Sequence, residues 1–124
     1  MKIAVTGAGG LLAHALLPAL ERAGHTVLAL RRSDADVTRL EALRPVLEGL
    51  RPDWVVHLAA FTRVDECETK ADHAFLVNAL GARNAALAAL ACGAGLLAIS
   101  SDYVFDGAAT KPYREYDAPG PCSV

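Results

Sequence analysis

Lysine is scarce in this chain of 124 residues: Lys2, Lys70 and Lys111 are the only three, beside nine arginines. The arginines are scattered apart from Arg31-Arg32, and the formal net charge is -2. No basic stripe exists to neutralise a run of phosphates, so the composition predicts no nucleic-acid partner. Cysteine is nearly as sparse. Cys67, Cys92 and Cys122 stand far apart with no Cys-x-x-Cys pair, which argues against a zinc ribbon or a disulfide framework and predicts reduced thiols and no metal. The opening "MKIAVTGAGG" is too short in apolar residues for a signal peptide, and no run reads as long enough to span a membrane. A cytoplasmic protein without a membrane partner is the expectation.

Hydrophobic residues are what the chain has in quantity, 53% of the total. That is enough to order one domain around one core. "KIAVT" and "TVLAL" are short apolar runs rich in β-branched residues, "WVVHLAA" is a third, and "LLAIS" a fourth. None alternates with polar residues, the mark of strands covered on both faces. Between them lie helical patterns. The first, after residue 10, carries Leu12, Leu16 and Leu20 and closes near Gly24, with a kink expected at Pro18. The second has Leu40, Leu43, Leu47 and Leu50 on one face. Thr38 and Glu41 stand at capping-box spacing before it, and Pro45 threatens to divide it. The third is alanine-rich, runs from about Ala71 to Cys92, and closes at Gly93 and Gly95. Strand and helix in alternation predict an α/β fold, a Rossmann-type doubly wound parallel sheet of about four strands. Beyond Asp102 the chain turns irregular.

"TGAGGLLA" joins the first strand to the first helix. Gly7 suits a sharp turn, Gly10 lets backbone approach a pyrophosphate, and Ala13 lets helix pack on strand. The amides and dipole of the helix start would face the phosphates. An acidic residue at the end of the second strand would select NAD through the ribose 2′-hydroxyl. Arg31, Arg32 and Ser33 stand there instead, and guanidinium groups match a 2′-phosphate. The reading is NADPH, or NADH as the lesser choice. Ser100 and Ser101 follow the fourth strand, at the sheet end where open α/β folds bind ligands. Ser100 reads equally as a cofactor contact or as a strand-end hydroxyl satisfied by backbone. Asp102 and Asp106 suit turns. His57 reads as a polar strand residue beside the site, and His14, His25 and His73 as surface.

"TGAGGLLA", "DVT", "HLAAFTRVDECE", "VNALGARN" and "ISSDYVFDG" with "PYREYDAPGP" occur in that order. The chain resembles the extended short-chain dehydrogenase/reductases along its whole length, and within them most closely the dTDP-4-dehydrorhamnose reductase branch. The resemblance implies reduction of the 4-keto group of a dTDP-sugar to give dTDP-L-rhamnose. It puts Gly7, Gly10 and Leu11 along the pyrophosphate, Asp36 and Val37 at the adenine, and Ala59 and Ala60 near the ribose and nicotinamide. It implies that Asn78 supports the cofactor site, that Thr62 and Tyr103 face the sugar, and that Ser101 hydrogen-bonds the keto oxygen.

The same resemblance calls for a proton-donating tyrosine with a lysine four residues later. A free tyrosine, with a pKa near ~10, needs such a neighbour to work at neutral pH. Tyr103, Tyr113 and Tyr116 are followed four residues on by Gly107, Asp117 and Gly120. Residues 1–124 therefore read as an N-terminal NAD(P)-binding Rossmann domain whose catalytic helix and substrate domain lie outside it. Taken alone it is expected to be inactive. Its uncovered sheet edge is expected to favour homo-oligomers. The alternative is a non-catalytic NADP-binding regulatory protein similar to the beta subunit of methionine adenosyltransferase.

Overall fold

The computed structural model describes all of residues 1–124. β1 (Lys2–Thr6), β2 (Thr26–Leu30), β3 (Trp54–His57) and β4 (Gly95–Ala98) form one sheet in the order β2-β1-β3-β4, and every pair is parallel. α1 (Leu11–Arg22) packs on one face of the sheet. There Leu16, Leu17 and Leu20 meet Ile3, Val5 and Val56. The other face carries the larger core, built by α2 (Leu40–Leu50) and α5 (Gly81–Ala91) over Ala4, Leu30 and Val55. Leu43 and Leu47 of α2 are fully buried, each worth about 1.5–3 kcal/mol. Ala85, Ala88 and Ala89 of α5 lie against them, their small side chains letting the two helices approach closely.

The expected elements are present, with four differences. α2 is one helix through Pro45, where a break was expected, while α1 runs through Pro18 as the single element the sequence implied. Each proline and the residue whose carbonyl it frees, Glu41 or His14, is exposed, so water can take the vacant acceptor. The capping box is not made: Arg39 is the N-cap residue, and the Thr38 hydroxyl donates to Asp36 Oδ1 instead. A short helix, α3 (Val64–Thr69), precedes the alanine-rich one and buries only Cys67.

The fourth difference lies in the long helix. α4 (Ala71–Ala74) passes into a π-helical segment, Phe75–Leu80, and then into α5. The Gly81 N–H donates to the Leu76 carbonyl, five residues back. These 21 residues, Ala71–Ala91, are long and apolar enough to cross a membrane, contrary to the sequence reading. Ala85, Ala88 and Ala89 are nevertheless buried in the core shared with α2, as expected of a helix packed inside a fold.

Candidate functional site

β1 and β3 are neighbours whose chains leave toward opposite faces of the sheet, and a cavity of ≈ 450 Å³ opens at their carboxyl ends. This is the switch point at which open α/β sheets bind ligands. The floor is Gly7, Gly9 and Gly10, one wall is Arg31, Arg32 and Ala35–Thr38, and the other is Leu58–Phe61 with Arg63, His73 and Val77.

Gly7 has φ +69, and a Cβ there would lie 2.6 Å from the Ala59 nitrogen. The turn is therefore pressed backbone to backbone against the end of β3, which no side chain would permit. The Gly10 N–H closes the turn on the Gly7 carbonyl at 2.9 Å. Gly10 is the N-cap of α1, and no side chain caps that helix, so its first amides remain available to an anion. Gly9 is open, with nothing within 4 Å of where a Cβ would stand. Bare backbone, a helix start and two arginines along one cavity fit a dinucleotide.

Beneath the floor, Thr6 and His57 end their strands side by side, with Oγ1 and Nδ1 2.8 Å apart. Both are buried, and burial pushes the imidazole below its ordinary pKa. The wall at Asp36–Thr38 is held from two directions. Asp36 Oδ1 accepts the Thr38 N–H at 3.0 Å and the Thr38 hydroxyl at 2.8 Å, while Oδ2 accepts Arg32 Nε at 3.0 Å. The Thr38 N–H leads in holding its carboxyl below the usual range; partial burial opposes, and the Thr38 hydroxyl and Arg32 add to the lowering. From α5, the buried Asn84 donates to the Val37 carbonyl at 2.9 Å. Gly81 lies so close that a Cβ would meet Val37 Cγ2 at 3.1 Å.

Eight of the residues singled out from the sequence line the cavity: Gly7, Gly10, Arg31, Arg32, Asp36, Val37, Ala59 and Ala60. Leu11 does not; it begins α1 92% exposed. Asn78 is also outside the wall. Its Oδ1 accepts the Phe61 N–H at 2.7 Å, and its Nδ2 donates to the Phe61 carbonyl at 3.0 Å. Both ends of the amide are thus tied to the Phe61 backbone, so Asn78 fixes the wall. Thr62 is exposed beside the wall. Ser100, Ser101 and Tyr103 are exposed beyond β4, on the same rim but outside the cavity. Asp106 serves the tail, accepting the Ala108 N–H and the Tyr113 hydroxyl. No three His, Cys, Asp or Glu side chains gather in a group able to hold a metal.

Arg63, Phe61 and His73 are among the lining residues that sequence reasoning missed, with Gly9, Ala35, Thr38, Leu58 and Val77. The Arg63 guanidinium lies 5.3 Å over the Phe61 ring, and His73 meets that ring edge-on at 5.0 Å. His73 is a half-buried part of the wall, contrary to its reading as surface. The available signal was His73 and Val77, one turn apart on a helix that follows the "HLAAFTR" segment.

The family model described as RmlD substrate binding domain matches residues 1–124. The chain belongs to this family. Among curated RmlD relatives, it is 42% identical over 123 residues to the spore coat polysaccharide biosynthesis protein SpsK of Bacillus subtilis, covering 99% of the chain and 44% of the relative. It is 46% identical over 120 residues to the dTDP-4-dehydrorhamnose reductase of Streptomyces griseus, covering 97% and 40%. Among solved structures, the dTDP-4-dehydrorhamnose reductase of Bacillus anthracis in complex with NADP superposes with TM-score 0.95 at 35% identity, over 98% of this chain and 43% of that one. The chain thus spans less than half the length of the relatives it matches.

Proposed function

We propose that residues 1–124 are the N-terminal, NADPH-binding part of a cytoplasmic reductase that converts the 4-keto group of dTDP-4-dehydrorhamnose to the alcohol of dTDP-L-rhamnose. One observation carries the reading: the Gly7 turn backed on Ala59 and the Arg31-Arg32 pair line a single cavity. Gly7, Gly9, Gly10 and the start of α1 would hold the pyrophosphate. Arg31 and Arg32 would take the 2′-phosphate, with NADH accepted less well, and Ala59 and Ala60 would bound the ribose and nicotinamide. The nicotinamide, when bound, supplies hydride. Ser101, on the rim beside β4, would orient the keto oxygen, and Thr62 and Tyr103 would face the sugar. The tyrosine that donates the proton, with its lysine, would come from sequence outside residues 1–124. The family match and the NADP named with the Bacillus anthracis enzyme support this reading.

Fluorescence titration with NADPH and NADH tests it. Saturable NADPH binding is expected, weakened by about 10–100-fold on Arg31→Ala/Arg32→Ala, the loss of charge-assisted hydrogen bonds to a phosphate. Absence of binding by either cofactor at millimolar concentration overturns it. Because residues 1–124 are expected to be inactive alone, turnover is read on the full-length polypeptide: NADPH binding there without consumption in the presence of the keto sugar would support the regulatory-subunit alternative.

A further inference from the structure

Three guanidinium groups line the cavity, and they differ in what they already hold. Arg63 Nη1 is paired with Glu66 at 2.9 Å. Arg31 has no side-chain partner, since Asp34 accepts its backbone N–H. Arg32 alone is tied to an anion that is itself part of the cavity wall, Asp36.

That anion is fixed. Asp36 Oδ1 is held by two donors of Thr38, so the carboxylate stays with the turn and Arg32 comes to it. The Arg32 side chain is 74% exposed and the Asp36 side chain 24%. A phosphate arriving at Arg32 therefore meets a resident carboxylate on the same guanidinium, whereas an uncharged ribose hydroxyl meets no such rival. This rests on the proposed reading that the cavity takes a nicotinamide dinucleotide. We propose that Asp36 competes with the cofactor 2′-phosphate for Arg32 and so limits how strongly the site prefers NADPH to NADH. With its pKa held low, chiefly by the Thr38 N–H, the carboxyl keeps its charge throughout the neutral range.

Asp36→Asn separates this role from that of the turn. The asparagine oxygen can keep both Thr38 hydrogen bonds, while the negative charge and the acceptor for Arg32 are removed. The readout is the ratio of dissociation constants, NADH over NADPH. It is expected to rise about three- to tenfold in Asp36→Asn, the scale of an exposed ion pair plus one removed like-charge contact. In Arg32→Ala the ratio should fall, and adding Asp36→Asn to that background should then move it less than in the wild type. An unchanged or lowered ratio in Asp36→Asn overturns the inference, as does a parallel loss of both cofactors, which would make Asp36 a residue of the turn or of the adenine contact and not a rival of the phosphate. If Arg32→Ala leaves the ratio unchanged, Arg32 does not read the phosphate and the inference fails; the NADPH assignment fails with it only if Arg31→Ala/Arg32→Ala also leaves the ratio unchanged. A ratio that falls in Arg32→Ala but does not rise in Asp36→Asn overturns the competition alone.

Discussion

Thr6 and Gly7 are adjacent in sequence and serve opposite sides of one boundary. Gly7 faces the cavity with a backbone that only glycine adopts without strain. In Gly7→Ala the φ of +69 alone should cost about 1–3 kcal/mol. The contact with Ala59 adds to that, because neither backbone can retreat without moving its strand. Chemical denaturation should register the loss, and NADPH affinity should fall with it. Thr6 faces inward, against a histidine that burial keeps neutral. The folded-state pKa of His57 lies below its unfolded value, so between the two the unfolded chain binds the extra proton. Stability from this group is whole above about pH 6.5 and declines as pH falls through that value toward the folded pKa. His57→Asn keeps a polar partner for Thr6 but cannot titrate. Thermal unfolding followed between neutral pH and about pH 5 should show a shallower decline in this variant than in the wild type, above the range where ordinary carboxylates titrate.

At the scale of elements, the π-helical segment governs the site wall. By taking a wider turn at Phe75–Leu80 the helix brings Val77 to the cavity and Asn78 to both peptide groups of Phe61, an example of π geometry at a functional position. Asn78→Ala should cost about 1–3 kcal/mol for two lost hydrogen bonds. It should also speed amide exchange at Phe61, as hydrogen-exchange mass spectrometry would detect. The four strands and both leucine-faced helices were legible in the sequence because apolar runs and 3.6-residue spacing report burial directly. The π segment was not, since "FLVNAL" has the same periodicity as its flanks and its backbone remains in the helical region. α3 escaped notice because "VDECET" buries only one residue and so has no apolar face to read. Pro45 threatened to divide α2, yet the carbonyl it frees lies where water reaches it. In the site, the glycine turn and Arg31-Arg32 were visible from residue type and position. The edge-on meeting of His73 with Phe61, twelve residues earlier, depends on where α3 and α4 fold back, which no local spacing encodes.

Over the whole molecule, apolar surface is distributed unevenly. β4 lies at an edge of the sheet, where Leu97 is 45% exposed and Ile99, just beyond the strand, 54%. Trp54, on β3, is also exposed. A strand edge beside such side chains invites pairing. Sedimentation velocity from micromolar to hundreds of micromolar should show concentration-dependent association, reduced in Leu97→Lys/Ile99→Glu. A sharp monomer at every concentration would count against the edge as a contact surface.

Parallel strands also give the molecule a direction. All four strands end at the rim that carries the cavity, and β1 begins at the far rim, where the Met1 carbonyl accepts the Thr26 N–H and Asp53 accepts the Lys2 N–H. Five residues of strand separate that anchored start from Gly7, a span of about 16 Å. A tether on Met1 would therefore hold the protein by its back, leaving the mouth of the cavity turned toward solution on a sensor surface or affinity resin.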